Sequence, residues 1–151
     1  MKKENILTII TAIIAVLFFY AAFSKLIDYD KSIDQMHNQI FPSFISSILT
    51  WLIPTLEIIL MLGLLFPTTR IKALLASLIL LIIFTLYIAV AMTGAFGRIP
   101  CSCGGILENM SYGTHLIFNL IFIALAIVGL IIENNKWYNF FKRKEHINQY
   151  K

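Results

Sequence analysis

Residues Ala73 to Thr93 read ALLASLILLIIFTLYIAVAMT, 21 residues without a charged side chain. A helix needs about 20 mostly apolar residues to cross a bilayer. Three further apolar runs of comparable length lie at Ile6–Ile27, Phe44–Phe66 and Thr114–Ile132. Together the four runs predict an all-α membrane protein built as a bundle of four transmembrane helices.

The composition of the whole chain agrees with this fold class. Of its 151 residues 59% are hydrophobic, which excludes an ordinary soluble domain. We predict one membrane domain over residues 1–135 and a basic, aromatic cytoplasmic tail over residues 136–151. The net charge of +4 does not indicate a nucleic-acid partner, because the basic residues lie at helix ends and in the tail, where they suit anionic lipid headgroups.

The lysines and arginines also predict the orientation. If the N-terminus, the loop after the second run and the C-terminus share one side, that side carries nine of them and the other side three. Cytoplasmic loops are enriched in these residues, so both termini are predicted to lie in the cytoplasm, in a bacterial inner membrane. The nine are Lys2, Lys3, Arg70, Lys72, Lys136, Lys142, Arg143, Lys144 and Lys151, and the three are Lys25, Lys31 and Arg98.

The first apolar run could be a cleavable signal peptide or a retained membrane helix, and the segment after it has a helical pattern of its own. Lys2 and Lys3 ahead of an apolar stretch also suit a cleavable signal peptide, but the stretch is longer than the usual core of about 7 to 15 residues, so we expect a retained helix. After this run, Ile33, Met36, Ile40 and Phe41 recur at helical spacing among polar residues. They predict a short helix lying in the outer membrane interface.

Glu57 is the charged residue nearest the middle of a predicted span. It lies 13 residues after Phe44, or roughly 20 Å along a helix. Such a group is costly unless it is neutral or paired. It either is protonated and bonded to a tyrosine or serine, or handles protons or a quinone. Pro54, one turn away, should free a backbone carbonyl. For Lys25, at the end of the first run, we expect a snorkelling role, with its ammonium in water.

The two cysteines, Cys101 and Cys103, are separated by one residue and lie in a polar gap between Pro100 and a Gly-Gly pair. By the orientation above, this loop faces the outside, where disulfides form and persist. Two thiols so close indicate redox or metal chemistry, with a structural disulfide as the alternative. A disulfide between them would close a small, strained ring, which favours thiol–disulfide exchange over a structural role.

Neighbouring residues can support this chemistry. Arg98 would favour the thiolate form of a cysteine, and His115 could serve as a base or orienting group if the loop folds over the fourth helix. His115 and Asn119 are four residues apart and therefore share a helix face. The alternative for His115 is an ordinary interfacial residue.

A metal site is the main rival for the cysteine pair. Two thiolates suit Cu(I), whereas zinc usually takes four ligands at recognisable spacing, which this loop lacks. The primary prediction is therefore no metal, with Cu(I) at Cys101 and Cys103 as the alternative. A non-catalytic membrane subunit with a structural loop disulfide is the third reading, and whether the chain is an enzyme stays open.

Three motifs together resemble the MauE branch of the DoxX-like membrane proteins, over about residues 5–133. They are Phe23-Ser24-Lys25-Leu26, the Pro54-x-x-Glu57 pattern, and Pro-Cys-Ser-Cys-Gly-Gly from Pro100 followed by His115 and Asn119. The resemblance implies a four-helix bundle with a methylamine-utilisation type of accessory role. Its partner would be a periplasmic thioredoxin-like protein or a cysteine-rich client that is maturing.

The resemblance also implies site residues: Cys101 and Cys103 as the redox pair and Glu57 as the intramembrane carboxylate. Because the chain has one cysteine pair, it cannot relay electrons between two disulfides of its own. Electrons would pass to a partner protein or to a quinone, the one cofactor that the resemblance suggests.

Overall fold

The computed structural model describes residues 3–39, 41–94 and 112–149, with side chains for residues 4–39, 41–94 and 113–133. Within these ranges the chain is helical and contains no strand. The helices are α1 (Lys3–Ile27), α2 (Tyr29–His37), α3 (Ser43–Leu65), α4 (Arg70–Met92) and α5 (Tyr112–Gln149). The predicted fold class is confirmed.

The four predicted spans correspond to α1, α3, α4 and the first part of α5. Each contains a segment long and apolar enough to cross a membrane, which in α5 is Gly113–Glu133. In its backbone α5 continues beyond this span to Gln149. The proposed boundary between domain and tail at residue 135 falls inside this helix and stays a prediction.

A tight turn joins α3 to α4 and makes them antiparallel neighbours, as its length predicts. The Thr69 hydroxyl donates to the Gly63 carbonyl oxygen at 2.8 Å, which ties the turn to the end of α3. A Cβ atom on Gly63 would lie 2.8 Å from the Cβ of Ala73. Glycine at residue 63 therefore lets the two helices approach more closely than any other residue would.

The four long helices form a ring in which α1 packs on α3 and α5, and α4 packs on the same two helices. Side chains from all four meet in an apolar core: Ile10, Ile14, Ala15, Phe18, Leu60, Leu64, Ala73, Leu74, Leu81 and Ala126. Large apolar residues on the outside of the same helices, such as Val16, Leu86 and Ile117, are more than half exposed. In a membrane protein this outer surface contacts lipid.

The short helix after the first run is present as α2, and it packs on α3 and α1. Met36 is buried on its inner side, while Asp34, His37 and Asn38 are exposed. Contacts between aromatic rings fix the segment, with Tyr29 and Trp51 5.0 Å apart and Phe41 and Tyr87 5.7 Å apart between centroids. The predicted helix is therefore attached to the bundle on one side and polar on the other.

Candidate functional site

Polar buried side chains concentrate at one end of the bundle. At this end α1 finishes at Ile27, α4 finishes at Met92 and α5 begins at Tyr112, and we call it the loop end because the segment between α4 and α5 leaves and returns here. The polar residues in this half include Lys25, Gln39, Ser46, Thr50, Glu57 and Asn119. The apolar core occupies the other half, together with three buried polar residues, Thr11, Ser77 and Glu133.

An ion pair between Lys25 of α1 and Glu57 of α3 lies at the centre of this polar half. The Lys25 Nζ atom is 2.8 Å from Oε1 and 3.1 Å from Oε2 of Glu57. It also donates to the carbonyl oxygen of Ala21 at 3.0 Å. The three protons of the ammonium therefore have three acceptors. The side chains are 15% and 4% exposed, respectively, so the pair is shielded from solvent and lipid.

The expected snorkelling of Lys25 is wrong, and helix geometry explains why. Side chains of an α-helix lean toward its N-terminus. In α1 this direction leads away from the loop end and into the bundle, so the lysine stem runs back toward Ala21. In the antiparallel α3, the side chain of Glu57 leans toward the loop end. The two side chains therefore approach each other from opposite directions.

For Glu57 the structure supplies a partner that the sequence did not suggest. We expected a neutral carboxyl bonded to tyrosine or serine, or a role in proton or quinone handling, and the hydrogen-bond partner is Lys25. The bundle-facing orientation is confirmed, because Glu57 is 3% exposed. A carboxylate that accepts two hydrogen bonds from an ammonium is stable in the membrane only while that pair stays closed.

His115 and Asn119 lie about one turn apart on the same face of α5. Asn119 is buried and His115 is half-buried in the first turn of α5. The structure therefore brings Lys25 and Glu57 into contact, while His115 and Asn119 lie on α5 with Asn119 one turn deeper than His115.

Cys101, Cys103, Arg98 and Pro100 lie outside the described residues. The segment that carries them runs from residue 95 to residue 111, and its described flanks, Gly94 and Tyr112, belong to the loop end. Among the residues that the structure describes, no group of three or more histidine, cysteine or acidic side chains could hold a metal ion. The copper alternative for the cysteines stays a prediction.

A second buried carboxyl escaped the sequence analysis. Glu133 lies just after the fourth apolar run, is 8% exposed, and its Oε2 atom has no hydrogen-bond partner in the described part of the chain. A Cβ on Gly129, one turn earlier, would lie 2.9 Å from Leu74. Arg70 lies one turn before Leu74 on α4, and its buried Nε atom also has no hydrogen-bond partner in the described part of the chain. The signal was a charged residue directly at the end of an apolar run.

These observations define a class: small multi-pass membrane proteins whose four long helices enclose a buried ion pair and whose sequence carries two cysteines between α4 and α5. The family model described as Methylamine utilisation protein MauE matches residues 3–132. The chain therefore belongs to the MauE family. The matched region includes α1, α2, α3, α4 and nearly all of the membrane span of α5. Comparison with curated proteins and with solved structures found no match.

Proposed function

We propose that this protein exchanges disulfides with a thioredoxin-like partner, or with a cysteine-rich client during its maturation, through Cys101 and Cys103. The observation that carries the proposal is the Cys-Ser-Cys sequence in the segment between α4 and α5, in a chain that belongs to the MauE family. The description of the family also supports an accessory role of the methylamine-utilisation type.

The proposed reaction needs one cysteine pair and no cofactor. A thiolate of the partner attacks one sulfur of the Cys101–Cys103 disulfide, and the other sulfur leaves as a thiolate. The second thiol of the partner then attacks the mixed disulfide. Two partner thiols are oxidised to a disulfide, this pair is reduced to two thiols, and the two protons of the partner thiols are transferred, through nearby bases or water, to the two thiols formed here.

His115 is the described side chain best suited to accept a proton in this reaction. It follows Cys103 by 12 residues and lies in the first turn of α5, at the loop end. Its imidazole can accept a proton on a ring nitrogen, as a base in this exchange requires. Arg98 and Pro100, next to the cysteines, would favour the thiolate and restrict the backbone, respectively.

Repeated turnover requires an electron acceptor or donor for the pair. A second redox protein would suffice, and a membrane quinone is the small-molecule candidate. The proposed location is the bacterial inner membrane, with both termini in the cytoplasm and the cysteines outside. In this arrangement the exchange takes place in an oxidising compartment.

The test is to trap the mixed disulfide. The exchange is reversible: in the reverse direction one cysteine of this pair attacks the disulfide of an oxidised partner, and the other cysteine of the pair resolves the mixed disulfide. Replacing the resolving cysteine should make the mixed disulfide accumulate, so both Cys101→Ser and Cys103→Ser are expressed in cells that contain the candidate partner. One of them should give a larger, reductant-sensitive band on a non-reducing gel, with a thioredoxin-like or cysteine-rich protein identified in it by mass spectrometry. The double variant is the control and should give no such band.

Two results would contradict the proposal. If neither single variant traps a protein, and both lose binding of Cu(I) that the wild type shows, the cysteines hold copper. If neither variant traps a protein and the double variant loses only stability, the pair is structural.

A further inference from the structure

A small pocket lies between α1, α2 and α3 at the loop end. Its wall is mostly apolar with a few polar groups, and the space has room for about one water molecule. The lining residues are Lys25, Ser32, Gln35, Met36, Leu49, Thr50, Ile53 and Pro54. The pocket therefore touches one member of the buried ion pair.

Thr50 and Pro54 make this pocket chemically distinct. In an α-helix the carbonyl oxygen of residue 50 accepts a hydrogen bond from the N–H of residue 54. Proline has no N–H, so this helical bond is missing in α3. Thr50 is 5% exposed. A buried carbonyl group requires a partner, and in membrane helices ordered water commonly supplies it beside a proline.

Hydroxyl groups around the pocket provide further acceptor capacity. The Thr50 hydroxyl uses its proton to bond the Ser46 carbonyl at 2.8 Å. The Ser32 hydroxyl likewise donates to the Lys25 carbonyl at 3.0 Å. Each oxygen keeps a lone pair that can accept a hydrogen bond. A water molecule here can donate to the Thr50 carbonyl and to one hydroxyl, which meets the two or more polar partners that a buried water needs.

We infer that this pocket holds an ordered water bonded to the Thr50 carbonyl, and that the water connects the Lys25–Glu57 pair to the aqueous phase at the loop end for proton exchange. Thr50 lies seven residues into α3, roughly 10 Å along the helix. Since the ammonium of Lys25 already has three acceptors, the water binds beside the ion pair without replacing Glu57, and a proton is exchanged when one of these three hydrogen bonds opens toward the water. The inference does not depend on the chemistry of the cysteines.

Threonine side chains provide matched controls for a direct test. Thr55 and Thr85 donate to the carbonyl four residues earlier at 2.8 and 2.7 Å, as Thr50 does, but neither lines the pocket. Thr85 lies seven residues before the end of α4 and so matches Thr50 in depth. Solid-state NMR of the full chain in lipid bilayers, with ¹³C-labelled threonine, measures magnetisation transfer from water to each residue.

The inference predicts that transfer to Thr50 is several-fold faster than to Thr55 or Thr85. Pro54→Ala restores the missing N–H and should reduce transfer to the level of Thr85, whereas Pro67→Ala in the turn should leave it unchanged. The ¹⁵Nζ protons of Lys25 should also exchange with water several-fold more slowly in Pro54→Ala. Equal transfer to Thr50 and Thr85 in the wild type would overturn the inference, whether or not Pro54→Ala folds. Fast transfer or unchanged lysine exchange in a folded Pro54→Ala variant would overturn it too.

Discussion

The buried ion pair offers the sharpest test of the folded arrangement. Replacing Lys25 with Met keeps the length of the side chain but leaves Glu57, whose side chain is 4% exposed, without its cation. The structure shows two hydrogen bonds to that carboxylate, and each such bond to a charged group contributes about 1.5 to 3 kcal/mol. Breaking a buried pair from one side typically costs about 3 to 5 kcal/mol. We therefore expect Lys25→Met to lower the free energy of unfolding by about 3 to 5 kcal/mol.

The double variant shows whether the loss in the single variants comes from a buried charge that has no partner. With Lys25→Met and Glu57→Leu together, no charge remains buried, so stability should return to within about 1 kcal/mol of the wild type, or exceed it. Glu57→Leu alone strands the ammonium and should resemble Lys25→Met. Glu57→Gln keeps an oxygen that accepts from Lys25 and should lose less than Glu57→Leu.

Reversible unfolding in a lipid–detergent mixture, followed by circular dichroism, measures these differences. Lys72→Met is the control, because Lys72 is exposed at the start of α4 and its loss should change stability by less than about 0.5 kcal/mol. If Lys25→Met costs no more than Lys72→Met, the pair contributes nothing. If the double variant loses the sum of the two single losses, the residues do not interact.

Three further predictions follow from particular contacts. Gly63→Ala should destabilise the α3–α4 pair by about 1 to 3 kcal/mol, because its Cβ would lie 2.8 Å from the Cβ of Ala73. Gly113→Ala has open space around its Cβ and should be tolerated, and thermal unfolding of the two variants measures the difference. Tyr87→Phe removes the hydrogen bond to the buried Gln39 side chain and should cost about 1 to 3 kcal/mol by the same measurement, more than Tyr20→Phe on the lipid-facing surface. A membrane-impermeant maleimide should label reduced Cys101 or Cys103 in intact spheroplasts; labelling only after permeabilisation would reverse the predicted orientation.

The spans could be predicted from the sequence because the requirement is local. An apolar run of the right length must be a helix in a bilayer, so Phe44–Phe66 anticipated Ser43–Leu65 almost residue for residue. The short helix α2 was also accessible, since Ile33 and Met36 mark its inner side. Both inferences use only neighbouring residues.

The ion pair was not predicted, because it joins residues 32 positions apart. Lys25 at the end of an apolar run looked like an interfacial lysine, and nothing in its immediate sequence shows which helix packs against it. The direction in which helical side chains lean was the usable signal. Along the helix axes, Lys25 leans away from the loop end and toward the middle of the membrane, whereas Glu57 leans toward the loop end, so the two side chains approach each other. Glu133 was not predicted because it lies one residue beyond the end of the fourth apolar run.

The central claim, disulfide exchange at Cys101 and Cys103, is tested most directly by following both reactants. The purified full chain in lipid bilayers, with the pair oxidised, is mixed with a reduced thioredoxin-like protein. The reaction is quenched with acid, and free thiols on each protein are counted by alkylation and mass spectrometry. We predict that two thiols appear on this chain as two disappear from the partner, and that the double Cys→Ser variant oxidises none. If the partner keeps its thiols and the wild-type pair stays oxidised, the claim is contradicted.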